Sequence, residues 1–233
     1  METKKFDERI RESGLQFKPV VPFTKGDRLL LLDFTEKNTT LTPDILADTD
    51  LFIRYINAQL NAAGAKYGIG GYNEHRTIYS RSHVFDAKDG EEPRRLHLGI
   101  DIWGKPYTKV MAPMNGIVHS FGFNNAYGDY GTTVILSHQM ESFHFYTLYG
   151  HLSLNSIQNM QGGDVVKAGD VFAQFGIPFE NGHWPPHLHF QIILDMQGMR
   201  GDYPGVCKFS EREKYLANCP DPDLILGLMQ YAG

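Results

Sequence analysis

The sequence predicts a mainly β protein: an antiparallel sheet or sandwich core, preceded by a partly helical N-terminal extension and closed by C-terminal helices. Two observations carry this. From Leu96 onward, short runs rich in β-branched and aromatic residues recur between Gly, Pro and Asn. The 233 residues also include 24 Gly and 12 Pro, a turn density that suits many short strands better than a helix bundle.

Taken in order, Lys4 to Ser13 is a short charged helical pattern, and Asp27 to Phe34 reads as a buried strand. A helix is expected from Pro43 to about Ala63, with Thr42 as N-cap and Pro43 at its first position. Its apolar positions are Ile45, Leu46, Leu51, Ile53, Ile56 and Leu60, and Gly64 closes it. Gly68 to Asn73 reads as a flexible connector. It is no phosphate loop, since no strand leads into it and no helix follows. The division expected is therefore an extension over 1–70 and a domain over 71–233, with its β core at about 95–195 and helices within 209–230.

Glu74 to Arg81 is dense in polar side chains and reads as a solvated surface strand, a lid or substrate contact being the competing reading. Strands are then expected at His97–Trp103, Lys109–Met111, Gly116–Phe123, Gly131–His138, Phe143–Tyr149, Val171–Phe175 and His189–Leu194. Asp164 to Asp170 is a tight turn before a strand. Two helices, Ser210 to Ala217 and Asp221 to Gln230, should cover a sheet edge.

Composition removes several classes of function. An apolar fraction of 42% with 12% aromatics is that of a globular chain. A net charge of -5 gives no electrostatic case for nucleic acid or anionic membranes as partners. No apolar run is long enough to span a membrane. The first residues are charged and lack the apolar core of a signal peptide, so a cytoplasmic location is expected. Cys207 and Cys219 do not make a disulfide framework and are expected as free thiols.

The chemistry gathers on three short motifs. His187 and His189 begin a strand after two prolines, and residues two apart on a strand share a face. That suits one imidazole as a metal ligand and the other as a base beside the metal. In His97-Leu98-Gly99-Ile100-Asp101, a regular strand would hold His and Asp about 13 Å apart. A bend or bulge at Gly99 would bring them together. Adding His189 gives two His and one Asp, three protein ligands that leave a fourth tetrahedral position open, as in catalytic zinc sites. No Glu of a His-Glu-x-x-His helix is present, so the base falls to a histidine, and His187 is placed for it. His151, in Tyr149-Gly150-His151-Leu152, ends an aromatic strand where it would stabilise an oxyanion. His75, His83, His119, His138, His144 and His183 have no companion at ligand spacing.

His-x-x-x-Asp, Tyr-Gly-His-Leu and Pro-His-Leu-His-Phe, in this order, resemble the lysostaphin/LytM-type zinc metallopeptidases. The resemblance covers about residues 95 to 195 and includes Val110 to Val118 and Val165 to Asp170. It implies the antiparallel β core of that family and one Zn2+ per chain held by His97, Asp101 and His189. It implies His187 and His151 as the catalytic histidines, and a peptide or peptidoglycan-like amide as substrate. Two features depart from the family: the stiff rim Trp184-Pro185-Pro186 and the absent export signal. The stretch from Gly71 on also resembles a metallopeptidase-like module fused to aminotransferase-type enzymes. Two other expectations follow: a zinc-retaining, non-catalytic binding or regulatory module, or a site occluded by a fourth ligand from the segment near Asn73 and His75.

Overall fold

A computed structural model describes residues 2–87, 90–140 and 143–233. Its twelve strands are β1 (Leu29–Leu31), β2 (Tyr67–Gly70), β3 (Leu96–His97), β4 (Ile100–Trp103), β5 (Lys109–Met111) and β6 (Gly116–Asn124), then β7 (Gly131–Met140), β8 (Phe143–Leu152), β9 (Val165–Val166), β10 (Val171–Gln174), β11 (His187–Ile193) and β12 (Val206–Cys207). Eight of them form one sheet in the order β1-β2-β4-β11-β8-β7-β6-β9, antiparallel except for the β1–β2 pair. Two antiparallel ribbons, β5–β10 and β3–β12, complete the β structure. This is the mainly β architecture expected, and Cys207 and Cys219 are free and buried.

The helices are α1 (Glu2–Glu12), α2 (Pro43–Ala47), α3 (Thr49–Ala63), α4 (Arg212–Leu216) and α5 (Asp223–Leu226). Among the described residues, no helix is long and apolar enough to cross a membrane. The single helix expected over 43–63 is two. Asp48 leaves helical geometry, and its carboxylate caps α3 by accepting from the backbone N–H of Asp50 and Leu51. Thr42 caps α2 and Gly64 closes α3 in the left-handed conformation. The buried residues of α3 are Phe52, Ile56 and Leu60; the last two belong to the set read from sequence, while Phe52 is buried in place of the exposed Leu51.

Gly68 to Gly70 is not a connector but buried strand β2, lying between β1 and β4. Its glycines mislead because they are there for packing. A Cβ on Gly68 would run into the Leu32 side chain, and one on Gly70 into the Leu32 carbonyl. Residues 1–70 and the rest of the chain thus share one sheet. They also share a core, in which Phe34, Phe52, Ile56 and Leu60 pack with Tyr79, Phe85, Trp103 and Trp184. The N-terminal part therefore buttresses the back of the strands that carry the motif residues.

Candidate metal centre and active site

Three adjacent strands bring the motif residues together. On β11, His189 lies opposite Asp101 of β4 on one side and Gly150 of β8 on the other, while His187 lies opposite Trp103. The chain breaks at Leu98 and Gly99 between β3 and β4, so His97 folds back towards Asp101 instead of standing far along a strand. Only glycine fits this break, since a Cβ on Gly99 would sit 2.5 Å from Cε1 of His189 and 2.8 Å from the Phe190 carbonyl. On β8 two residues, Gly150 and His151, fall within a register shift against β7, a bulge that re-aims the second side chain. The positive φ of this bulge, 63°, is carried by His151 itself. Gly150 instead makes room for Tyr130, whose ring a Cβ would meet at 2.5 Å.

The donor atoms of His97, Asp101 and His189 converge. Nε2 of His97 lies 2.9 Å from Nδ1 of His189 and 3.3 Å from Oδ1 of Asp101, and Nδ1 of His189 lies 3.1 Å from the same oxygen. Each imidazole has its proton on the far side. Nδ1 of His97 donates to the Gly71 carbonyl (2.9 Å), and Nε2 of His189 donates to Oε1 of Gln191 (2.9 Å). The Gln191 amide is fixed in that sense because its Nε2 donates to the Pro204 carbonyl and to Sγ of Cys219. Burial, reinforced by the charge of Arg76, pushes His97 down to about 3. Burial opposes ionisation of Asp101, but His97 and Arg76 outweigh it and hold the carboxyl well below the usual range. With the far-side nitrogens donating, Nε2 of His97, Nδ1 of His189 and Oδ1 of Asp101 face one another as acceptors, an arrangement that a shared proton or a metal cation relieves. Their spacing fits the ion: bonds of about 2.0–2.1 Å to a tetrahedral zinc put neighbouring ligand atoms about 3.3 Å apart. Two imidazoles and a carboxylate, all buried, are a donor set that zinc accepts.

A fourth side chain completes this cluster, and sequence reasoning missed it. Arg76, expected on a solvated surface strand, is 0% exposed. Its Nη1 donates to Oδ2 of Asp101, its Nη2 to the Gly70 carbonyl (3.1 Å) and its Nε to Oε2 of Glu74 (2.6 Å). The guanidinium takes the carboxylate oxygen that faces away from the two histidines and leaves Oδ1 to the cluster. Gly71, at φ 103°, is the hinge of this arrangement, for its carbonyl orients His97 and a Cβ there would collide with the Arg76 guanidinium. Arg76→Met should therefore weaken zinc binding by about 10–100-fold, read by competition with a chromophoric chelator. It should also destabilise the metal-free protein by about 3–5 kcal/mol in chemical denaturation, because Asp101 stays buried without its partner. Arg76→Lys should not rescue binding, since an ammonium does not span a carbonyl and two carboxylates. Gly71→Ala should reproduce part of both losses.

His187 and His151 stand beside the cluster in contact, ring centroids 4.0 Å apart and planes tilted by 31°. The other face of His187 lies on the Trp103 indole at 3.8 Å, nearly parallel. Nδ1 of His187 donates to the Pro185 carbonyl (2.7 Å) and Nδ1 of His151 to the Asn181 carbonyl (2.8 Å), so each offers an unprotonated Nε2. Burial pushes His187 down to about 4, and burial together with His187 pushes His151 well below its ordinary value. Tyr130, also absent from the sequence reading, has its hydroxyl 3.3 Å from Nε2 of His189, and burial holds its pKa well above normal. The phenol therefore keeps its proton, and with His189 protonated at Nε2 its oxygen is the acceptor in this contact. These residues line a cavity of about 140 Å3 together with Tyr79, Trp103 and Trp184.

The segment near Asn73 and His75 approaches the centre differently from the expectation of a fourth ligand. Oδ1 of Asn73 accepts from Nε of Arg212 (2.8 Å), and His75 is exposed beside Phe209. Among the described residues, neither belongs to the group able to hold an ion. Of the histidines set aside, His138 is buried between the Asn115 carbonyl and the Thr147 hydroxyl, and His75, His83, His144 and His183 are exposed.

Comparison with known proteins follows from this geometry. The family model described as Peptidase family M23 matches residues 95–200. The L-Ala--D-Glu endopeptidase of Bacillus subtilis (strain 168) is 27% identical over 125 residues, which are 52% of this chain and 36% of that protein. The chain thus spans about a third of the length of the curated relative it matches. Among solved structures, a zinc containing peptidase from Vibrio cholerae is 26% identical, over 42% of this chain and 27% of that one, with a TM-score of 0.34. The catalytic domain of the antimicrobial peptidase lysostaphin from Staphylococcus simulans is 20% identical, over 70% of this chain and 96% of that one, with a TM-score of 0.39.

Proposed function

We propose that the protein is a zinc-dependent metallohydrolase cleaving a peptide or peptidoglycan-like amide bond, on the premise of the match of residues 95–200 to the Peptidase family M23 model. The observation that carries the proposal is the convergence of one ligand atom each from His97, Asp101 and His189 beside two histidines whose Nδ1 atoms are bonded to backbone carbonyls. His97, Asp101 and His189 would hold the ion. When bound there, zinc supplies Lewis-acid polarisation of the scissile carbonyl and makes water acidic enough to ionise near neutrality.

The chain's own groups do the rest. His187 takes the proton of the attacking water at Nε2 and returns it to the leaving amine. Its Nδ1–H, fixed on the Pro185 carbonyl, keeps the ring in the tautomer this requires. His151 is assigned to the developing oxyanion. In its neutral tautomer it offers a lone pair, so it becomes a donor only after protonation, whereas Tyr130 keeps its O–H and can donate it without any such change.

Digestion of a peptide library by the zinc-loaded protein, beside the same protein stripped with chelator, tests the proposal. Cleavage that appears with zinc and disappears without it is the expected result. Full zinc occupancy with no cleavage across a broad peptide and amide panel would favour a zinc-retaining binding or regulatory module.

A further inference from the structure

We propose that the segment from Asn181 to Pro186 is a clamp that sets the tautomers of both catalytic histidines, with the Asn181 side chain as its positioning residue; the inference rests on the metallopeptidase reading. The carbonyls that receive the Nδ1 protons of His151 and His187 both belong to this segment, those of Asn181 (2.8 Å) and Pro185 (2.7 Å). Which nitrogen of a neutral imidazole carries the proton is set by the hydrogen bond that the other atoms impose. A carbonyl cannot donate, so its approach to Nδ1 leaves the lone pair on Nε2.

The segment is held at its other carbonyls too. Those of Gly182 and Pro186 accept from the backbone N–H of Gly128 (2.8 Å) and Gly104 (3.1 Å). That of His183 accepts from the Thr49 hydroxyl (3.0 Å) and from Nη2 of Arg81 (3.1 Å). The remaining one, of Trp184, belongs to Asn181.

Asn181 is 0% exposed, and its amide is spent inside the loop. Nδ2 donates to the carbonyls of Gly176 (3.2 Å) and Trp184 (3.0 Å), and Oδ1 accepts from the Trp184 backbone N–H (3.0 Å). Carbonyls on one side and an N–H on the other admit a single orientation of the amide. Trp184 is thus gripped at its N–H and at its carbonyl. The two prolines that follow restrict the backbone and carry this placement on to the Pro185 carbonyl. Gly176 in turn donates its N–H to the His151 carbonyl (2.8 Å). Asn181 therefore reaches His151 twice, through its own carbonyl at the ring and through Gly176 at the main chain.

The turn itself needs such a fastening. Gly182 and His183 both have positive φ, 78° and 68°, and a Cβ on Gly182 would run into the Asp129 carbonyl. A residue with a side chain, as His183 is, holds that conformation only where its surroundings impose it. The Asn181 amide closes the turn across it.

Two-bond 1H–15N NMR of the zinc-loaded full chain reads the tautomers directly, with the two rings assigned from His151→Ala and His187→Ala. Wild-type protein should show both protonated at Nδ1. Asn181→Ala should turn both into mixtures of the two tautomers, with zinc content unchanged. It should lower kcat on a cleaved peptide by about 10–100-fold and change KM by less than about threefold. Asn181→Ser keeps one donor and one acceptor, so it should shift both tautomers less in the same direction, and it carries the comparison if the alanine variant does not fold. Thr49→Val, which loosens the outer side of the segment, should cost stability and move neither tautomer. An Nε2-protonated His151 or His187 in the wild type would overturn the clamp. So would Asn181 variants that lose activity with both tautomers intact, or an equal shift in Thr49→Val. A zinc-loaded wild type that cleaves no peptide while showing both Nδ1 tautomers would overturn the metallopeptidase reading and leave the clamp standing.

Discussion

Alanine at His97, Asp101 or His189 should strip the protein of its zinc. Structural zinc sites bind with about 10–16 kcal/mol over four ligands, so one lost ligand costs about 3–4 kcal/mol, or about 10²–10³-fold in affinity. Metal analysis after dialysis against a weak chelator should find close to one zinc in the wild type and well under one in each variant. His97→Ala and Asp101→Ala differ in a useful way. Without His97 the Asp101 carboxylate keeps Arg76 as its partner, whereas without Asp101 the guanidinium is buried beside a hole. The metal-free Asp101→Ala protein should therefore be the less stable of the two. Full zinc stoichiometry in both His97→Ala and His189→Ala would show the ligand assignment to be wrong.

The second large effect separates the base from the ligands. His187→Ala should lower kcat by about 10²–10⁴-fold while zinc content stays at the wild-type value, because His187 lies outside the three converging donor atoms. Since its ring is held between Trp103 and His151, the variant loses packing as well as a base. His187→Gln, which retains bulk without a titrating nitrogen, controls for that loss. If His187→Gln were as active as wild type, the proton would have to go elsewhere, and His151 is the neighbour placed to take it.

Much of this site can be read from spacing alone, since strand geometry makes short spacings informative. Two residues apart on β11 put His187 and His189 on one face, and the glycine between His97 and Asp101 marks where a strand must break for the pair to meet. Arg76 resists the same reading. Its partner Asp101 is 25 positions away, and no local pattern distinguishes a buried guanidinium from a solvated one. Gly68 and Gly70 fail for the opposite reason, in that their lack of side chains signals flexibility in a sequence but close packing against Leu32 in the fold. Asp48 hides a helix break because its apolar neighbours keep helical spacing across it.

Crystallographic anomalous scattering at the zinc edge, on protein grown with zinc, tests the central claim most directly. A single strong peak within bonding distance of Nε2 of His97, Nδ1 of His189 and Oδ1 of Asp101, with its open side towards His151 and His187, is the predicted result. A peak at other histidines, or none at this cluster under saturating zinc, would contradict it.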